Sequence, residues 1–188
     1  MLRFLKEFQK YVLITGLRVN RIGVPEELLM IVNGEKSSNV GIQIFDAEGI
    51  CTWEHLYFAF SNALNAFNDK TNVSRSIAME TMLYAAAKRQ ISRATEILGV
   101  RSGSKEIAIV IFGERVEDLE GSLSRIVRQF NAEMDEAVLE LKDAKVARIQ
   151  RIFDISDTEL GAVTNRCGMK KAMLELIIER MALLTTYR

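Results

Sequence analysis

His55 is the single histidine in this chain of 188 residues, so it is the one imidazole that could act as a general base near neutral pH. It lies in the first turn of a predicted helix, and the local sequence ties no serine or cysteine nucleophile to it. A histidine that caps the start of the helix, or that packs against the core, is the alternative interpretation. An enzyme that uses His55 therefore remains a hypothesis at this point.

The sequence lacks the motifs through which many enzymes bind phosphate or activate serine. It contains no G-x-S-x-G elbow, no G-x-x-x-x-G-K loop and no G-x-G-x-x-G turn. Cys51 and Cys167 are the two cysteines, which are too few for a disulfide framework or a four-cysteine zinc site. We therefore expect no catalytic residue, no metal ion and no cofactor.

Charge is balanced over the whole chain but segregated along it. Lys plus Arg and Asp plus Glu each number 25, which excludes nucleic-acid binding by bulk charge but not by a local patch. Positions 71 to 105 hold six basic and two acidic residues, whereas positions 114 to 143 hold four basic and nine acidic residues. Arg89 and Arg93 are expected to share one side of a helix, with Lys88 beside them. This basic patch is either a solvated surface or a phosphate-binding site.

The last predicted helix, at about Met169 to Leu184, is apolar on nearly all sides. An ordinary surface helix needs one apolar stripe, whereas this helix has two. Two stripes indicate either full burial or one face for the domain and another for a partner. The position of the helix at the end of the sequence favours a partner. The first stripe is formed by Met173, Leu174, Ile177, Ile178 and Met181, and the second by Met169, Ala172, Leu176 and Leu183.

Strands and helices must both contribute to the scaffold that positions these residues. β-Branched and aromatic residues predict a strand at Tyr11–Thr15 that stops at Gly16, and alternation predicts another at Gly41–Phe45. Between them, Pro25 opens a predicted short helix. The uninterrupted apolar run Ile107–Phe112 predicts a central strand that is buried on both faces.

Helical periodicity dominates the rest of the sequence. Thr52 is the predicted N-cap of a helix that runs to Phe67, and Ser74 or Ser76 opens a longer helix that ends at Leu98. We predict an α+β fold with a single compact domain, in which helices flank a small central mixed β-sheet. Its α/β part covers about residues 1–130, and its helical C-terminal part covers about residues 131–188. The later helices are predicted at about Glu117–Phe130, at about Lys145–Phe153, after the capping box Ser156–Glu159, and at about Met169–Leu184.

Several segments of the sequence resemble a known family, the small regulatory subunit of the KEOPS complex, which includes the PRPK-binding protein (TPRKB). The archaeal members are the most similar, and the resemblance covers most of the chain. It is carried by Trp53–Ala59, by Asn72–Ser76, by the pattern that runs from Glu80 through Leu83, Tyr84, Lys88, Arg89 and Gln90 to Ile91, by the strand Glu106–Phe112 and by the ending Glu175–Leu184.

The resemblance implies a subunit that is not itself catalytic. Members of the family bind the kinase-like ATPase subunit of KEOPS through the C-terminal helix and support its ATPase activity. They also anchor the 3′ CCA end of tRNA, on which the complex makes N6-threonylcarbamoyladenosine at position 37. Transferred to this chain, the implied kinase-binding residues are Leu174, Ile177, Ile178, Met181 and Ala182, and the implied tRNA-binding residues are Arg75, Lys88, Arg89 and Gln90.

Two other functions stay open beside this one. The chain could be a stand-alone protein-interaction adaptor without an RNA role, or a small enzyme that uses His55. The N-terminus lacks the apolar core of a signal peptide, and no run of ~18 apolar residues is present. We therefore expect a cytoplasmic protein with no membrane partner and no small-molecule substrate of its own.

Overall fold

The computed structural model describes residues 1–19 and 40–184. The short helix predicted after Pro25 lies outside these residues. The chain divides into two compact units, each assembled from two segments. One, the sheet unit, combines the residues before 48 with residues 99–139, and the other, the helical unit, combines residues 48–98 with the residues from 140 onward. The prediction that the whole chain forms a single domain stays a prediction.

Among the described residues, the sheet unit is built on an open five-stranded sheet. Its strand order is β1-β2-β4-β3, and β5 pairs with β2. All the pairings described are antiparallel, so the predicted α+β class is confirmed, while the sheet is antiparallel rather than mixed. The strands are β1 (Leu2–Leu5), β2 (Lys10–Arg18), β3 (Val40–Asp46), β4 (Glu106–Gly113) and β5 (Glu133–Met134).

β4 is the central strand that its apolar run predicts. It lies between β2 and β3, and the side chains of Ile107 to Ile111 are fully buried. Helix α4 (Val116–Gln129) covers one face of the sheet with Leu119, Leu123 and Ile126, which belong to the same apolar core. Because both faces of β4 are covered, it needs no alternation of polar and apolar residues.

Gly16 does not stop β2, contrary to the sequence-based prediction. The strand continues to Arg18, and Gly16 is one of its buried residues. A Cβ atom at position 16 would lie 2.6 Å from the carbonyl oxygen of Asp135 and 2.7 Å from Cβ of Val138. Glycine therefore allows the 135–138 segment to approach the strand closely, rather than ending the strand.

The helical unit contains the other α-helices of the described chain. The predicted positions of α5 and α7 are confirmed to within two residues, and Ser156 and Glu159 form the predicted capping box of α6. Thr52 is the N-cap residue of α1, although its side chain makes no capping hydrogen bond within the described residues. The helices are α1 (Trp53–Asn68), α2 (Ile77–Ala85), α3 (Ile91–Leu98), α5 (Asp143–Phe153), α6 (Asp157–Cys167) and α7 (Met169–Leu183).

The single long helix predicted to end at Leu98 is wrong, because the chain forms two helices, α2 and α3, with a link at residues 86–90. Ala87 adopts the left-handed conformation, with φ of 48°. The N–H of Lys88 then donates to the carbonyl of Leu83 at 3.0 Å, and the N–H of Ala87 donates to that of Tyr84 at 2.9 Å. These two bonds are the Schellman pattern that ends a helix, here with alanine at a position where glycine is usual.

Candidate functional site

A pocket of about 320 Å³ opens in the helical unit, and we call it the α2 pocket. Its walls come from the loop between α1 and α2, from α2 itself, from the link after α2 and from the end of α7. It is lined by Asp69, Thr71, Val73, Glu80, Leu83, Tyr84, Lys88, Arg89 and Leu184.

The lining residues of the α2 pocket differ in burial. Glu80, Leu83 and Tyr84 are buried, and we call these three residues the floor of the pocket. Lys88 is half-buried and Arg89 is exposed, so the two cations lie toward the solvent. An aromatic residue and two cations in the lining of one pocket suit a nucleic-acid base that stacks on the ring while its phosphate contacts the cations.

The carboxylate of Glu80 holds the loop that forms one wall of the pocket. The backbone N–H of Ser74 donates to Oε2 of Glu80 at 2.7 Å, and that of Val73 lies 3.1 and 3.2 Å from the two carboxylate oxygens. The hydroxyl of Ser74 donates to the carbonyl of Ser76 at 2.7 Å, and Ser76 caps α2. A buried carboxylate is tolerated here because N–H donors solvate it in place of water.

Tyr84 lies within the electrostatic influence of the charged lining residues. Burial raises the pKa of its phenol, and the negative charges of Glu80 and Asp69 raise it further, while Arg89 lowers it. The phenol therefore stays protonated at neutral pH, and its hydroxyl can donate a hydrogen bond.

Arg89 connects the pocket to the end of α7. Its Nη1 donates to the carbonyl oxygen of Leu184 at 3.0 Å, just past the last helical residue. The carbonyl groups at the end of a helix lack intrahelical partners and carry partial negative charge, which an arginine offsets. The contact brings Leu184 into the pocket wall and orients the guanidinium.

The structure brings together two of the four residues predicted to bind tRNA. Lys88 and Arg89 line the α2 pocket, whereas Arg75 and Gln90 are exposed but are not among its lining residues. Arg93 does not share a helical stripe with Arg89, because Arg89 lies in the link; Arg93 instead pairs with Glu96 at 2.9 Å.

Sequence reasoning did not identify Glu80 and Tyr84 as parts of a site. The two residues are one helical turn apart, and that spacing of a carboxylate and an aromatic ring on α2 was the available signal. Leu184 could not be found in this way, because its contribution depends on where α7 ends.

Helix α7 presents one narrow apolar stripe to solvent. Leu174 and Ile178 are half-buried, and Ala182 is exposed. We call these three residues, spaced four apart, the outer stripe. Ile177 and Met181, which were predicted to face a partner, are fully buried and belong to the core of the helical unit.

The outer stripe continues into a cleft of about 530 Å³ at the start of α7. Leu174 lines both features, and Met169, 44% exposed, adds apolar surface at the mouth of the cleft. Lys171 and Glu175, which pair at 3.9 Å, flank the outer stripe. A polar border around an apolar centre is the usual composition of a protein interface.

Arg180 fixes the position of α7. Its guanidinium donates to Glu159 at 2.7 Å and to the carbonyls of Phe153 and Asp154 at 3.3 Å. The backbone N–H of Ser156 together with Arg180 lowers the pKa of Glu159 to about 2. Because these bonds link α7 to α5 and α6, the outer stripe is presented on a fixed scaffold.

His55 has a packing role in the structure. Its side chain is fully buried, Nδ1 accepts the N–H of Cys51 at 3.2 Å, and Nε2 donates to the carbonyl of Ala85 at 2.9 Å. Its ring also makes a T-shaped contact with the ring of Phe153, with centroids 5.5 Å apart. Burial lowers the pKa of His55 to about 4, although the bond to Ala85 partly opposes that shift. Both nitrogens are engaged with the backbone, so the general-base hypothesis gains no support from this geometry.

Within residues 1–19 and 40–184, no group of three or more His, Cys, Asp or Glu side chains could hold a metal ion. None of the helices there has both the length and the apolar character needed to cross a membrane.

Comparison with known proteins agrees with the resemblance predicted from the sequence. The family model described as "Kinase binding protein CGI-121" matches residues 25–185. The chain belongs to this family. A curated relative, "Regulatory protein Cgi121" of Methanocaldococcus jannaschii, is 30% identical over 140 residues, which cover 73% of this chain and 87% of the relative. The family resemblance is therefore confirmed.

Proposed function

We propose that this chain is the kinase-binding regulatory subunit of a KEOPS-type complex, and that it holds the 3′ CCA end of tRNA during N6-threonylcarbamoyladenosine synthesis. The observation that carries the proposal is the outer stripe of Leu174, Ile178 and Ala182 on a helix whose other apolar side is buried. Membership of the kinase-binding family gives that surface a class of partner.

Kinase binding is supported by the shape and setting of the outer stripe. The stripe is narrow, continues into the cleft at Leu174 and has charged neighbours, which favours a partner that buries a few apolar side chains. Because Arg180 holds α7 in place, binding does not require ordering of the helix, and little conformational entropy is lost. In this proposal the chain is not an enzyme and acts by supporting the ATPase activity of the kinase-like subunit.

The tRNA role is supported by the α2 pocket. Its volume of about 320 Å³ is near the lower end of ligand pockets, which run from roughly 300 to 1,000 Å³. A pocket of that size suits one terminal nucleoside, stacked on Tyr84, with the preceding phosphates near Lys88 and Arg89. We place this activity in the cytoplasm, as the sequence predicts.

Size-exclusion chromatography with the cognate kinase-like subunit tests the first half of the proposal. The two chains should elute together, and ATPase activity of the kinase-like subunit should rise when this chain is added. Separate elution at micromolar concentrations would contradict kinase binding.

Filter binding with intact tRNA and with tRNA trimmed of its CCA end tests the second half. Intact tRNA should bind more tightly, and the difference should vanish when Lys88 and Arg89 are replaced. Equal binding of intact and trimmed tRNA would contradict the 3′-end role and would favour an adaptor without an RNA function.

A further inference from the structure

The α2 pocket is electrically polarised in a way that phosphate binding alone does not explain. Lys88 and Arg89 come from the link after α2, whereas the buried Glu80 belongs to the floor and Asp69 begins the loop between α1 and α2. A pocket built to surround a phosphate would have donors and cations among its most buried lining groups. Here the most buried charged group of the lining is the carboxylate of Glu80.

Glu80 also occupies a position where an anion would otherwise bind. The successive N–H groups of Val73 and Ser74 converge on its carboxylate at 2.7 to 3.2 Å. Converging backbone N–H groups of this kind form the concavities in which proteins bind phosphate. In this chain the donors are taken by an internal carboxylate, so they are unavailable to a phosphate and the floor carries a negative charge.

We propose that the α2 pocket selects an RNA 3′ end with a free ribose diol, and that Glu80 rejects an end that carries a terminal phosphate. This inference rests on the proposed function, because it specifies which chemical form of RNA end enters the pocket. The hydroxyl groups of the terminal ribose can donate hydrogen bonds to the carboxylate of Glu80. A terminal phosphate has the same sign of charge as this carboxylate, so the two groups repel each other. Lys88 and Arg89 then bind the internal phosphodiester at the rim.

The same distribution of charge allows the pocket to distinguish the two ends of an RNA chain. A 5′ end usually bears a phosphate, whereas a mature 3′ end terminates in two hydroxyl groups. An anionic floor beneath a cationic rim therefore favours entry of the 3′ end. A 3′ end left as a phosphate or a cyclic phosphate by incomplete processing would be excluded.

Fluorescence anisotropy with three short RNAs ending in CCA tests the inference on the full chain. The first has free hydroxyl groups at both ends, the second adds a 3′ phosphate, and the third adds a 5′ phosphate instead. The 3′ phosphate should weaken binding about tenfold, because it adds one like-charge contact with Glu80. The 5′ phosphate adds the same charge away from the floor, so it should change the affinity by less than about twofold.

Glu80→Gln tests the residue itself, because it removes the charge and keeps one oxygen acceptor for the loop. In a folded Glu80→Gln variant the penalty for the 3′ phosphate should fall to less than about twofold, since the like-charge contact is gone. Glu96→Gln is the matched control, because Glu96 pairs with Arg93 outside the pocket lining. That control should keep the full penalty, and thermal melting by circular dichroism checks the fold of both variants.

The outcomes separate this inference from the proposed function. If the wild-type chain binds the hydroxyl and 3′-phosphate RNAs equally, the selection is overturned while RNA binding stands. If none of the three RNAs binds with a salt-dependent affinity, the proposed RNA role fails and the selection fails with it. If folded Glu80→Gln keeps the penalty, Glu80 is not its cause; if this variant does not fold, the wild-type comparison still decides whether selection exists.

Discussion

Nε2 of His55 lies 2.9 Å from the carbonyl oxygen of Ala85, where α2 ends. In a continuous helix that carbonyl would accept the N–H of Arg89, four residues later. The buried imidazole donates to it instead, so the chain can leave the helix at Ala85 without leaving an acceptor unsatisfied. Because Lys88 and Arg89 then belong to a link rather than to a helix face, His55 helps to determine the geometry of the α2 pocket.

The first prediction concerns acid stability. The pKa of His55 is lowered to about 4 in the folded chain, from 6.5 when exposed, so below pH 6.5 the unfolded state binds more protons. The contribution of His55 to the free energy of unfolding should be fully present above pH 6.5. This free energy should fall by about 3 kcal/mol as the pH drops from 6.5 toward 4. Urea unfolding at pH 7.5 and at pH 4.5 measures the difference.

His55→Ala serves as the comparison for that titration. It should cost about 2–4 kcal/mol at pH 7.5, because it leaves a cavity and two backbone groups without their partners. Its stability should then vary less between pH 7.5 and 4.5 than that of the wild type. The pKa of Glu159 is lowered from its usual 4.5 to about 2, so its effect on stability falls at a lower pH, between about 4.5 and 2. A wild-type stability that is flat between pH 7 and 4.5 would contradict the prediction.

The second prediction separates the two sides of α7. Ile178→Arg places a cation on the half-buried outer stripe, so the free chain should stay folded while co-elution with the kinase-like subunit is lost. Ile177→Arg buries a cation in the core, where the side chain is fully enclosed, and should cost at least about 3 kcal/mol of folding stability. Circular dichroism melting and size-exclusion chromatography measure both effects.

Ala182→Ser is a mild control on the same face and should leave folding and co-elution unchanged. Normal co-elution of Ile178→Arg would move the kinase-binding surface away from the outer stripe. A folded, stable Ile177→Arg variant would contradict the burial of that side chain.

The secondary structure was largely predictable from the sequence because its strongest signals are local. The apolar run Ile107–Phe112 and the capping box of Ser156 and Glu159 each report a property of adjacent residues. β1 was missed because its four residues mix charged and apolar side chains, and its pairing with β2 is what makes it a strand. The break at Ala87 was missed for a related reason: the carbonyl that ends α2 is satisfied by a histidine 30 residues earlier.

The candidate site was predictable only in part. Charge segregation pointed to Lys88 and Arg89, and both line the α2 pocket. Apolar periodicity pointed to α7 but could not tell its sides apart, because apolar residues occur nearly all round it. Burial of Ile177 and Met181 depends on the helices that pack against α7, and no pattern within the helix itself contains that information.

The third prediction concerns the salt dependence of RNA binding. With Lys88 and Arg89 each neutralising one phosphate of a single strand, the slope of log K against log salt should be about −1.4. Replacing both with Glu should remove that dependence and stop tRNA modification by the reconstituted complex. Co-elution with the kinase-like subunit should persist, because the outer stripe is unchanged. Filter binding across a salt series measures the slope.

Arg93→Glu is the matched control for the double variant. Arg93 is a nearby exposed cation, but it pairs with Glu96 and does not line the pocket. Its replacement should change the slope by much less than the double variant does. If Arg93→Glu lowers the slope as much, the binding surface is a diffuse basic patch. If the double variant keeps its slope, the next residues to test are Arg75, Arg101 and Lys105, the remaining basic residues of positions 71 to 105.

The fourth prediction concerns Gly16 in the sheet unit. Gly16→Ala would place Cβ 2.6 Å from the carbonyl oxygen of Asp135, closer than real Cβ contacts, and 2.7 Å from Cβ of Val138. The segment at 135–138 must then move away from β2, which strains the bond between the N–H of Asp135 and the carbonyl of Gly16. We expect the free energy of unfolding to fall by about 1–3 kcal/mol, the usual cost of overpacking a core.

Gly161→Ala is the control, because a Cβ there would meet no described atom within 4 Å beyond its own helix backbone and chain neighbours, and alanine is favoured over glycine inside a helix by about 1 kcal/mol. Urea unfolding should therefore shift in opposite directions for the two variants, and a Gly16→Ala protein as stable as the wild type would contradict the close approach.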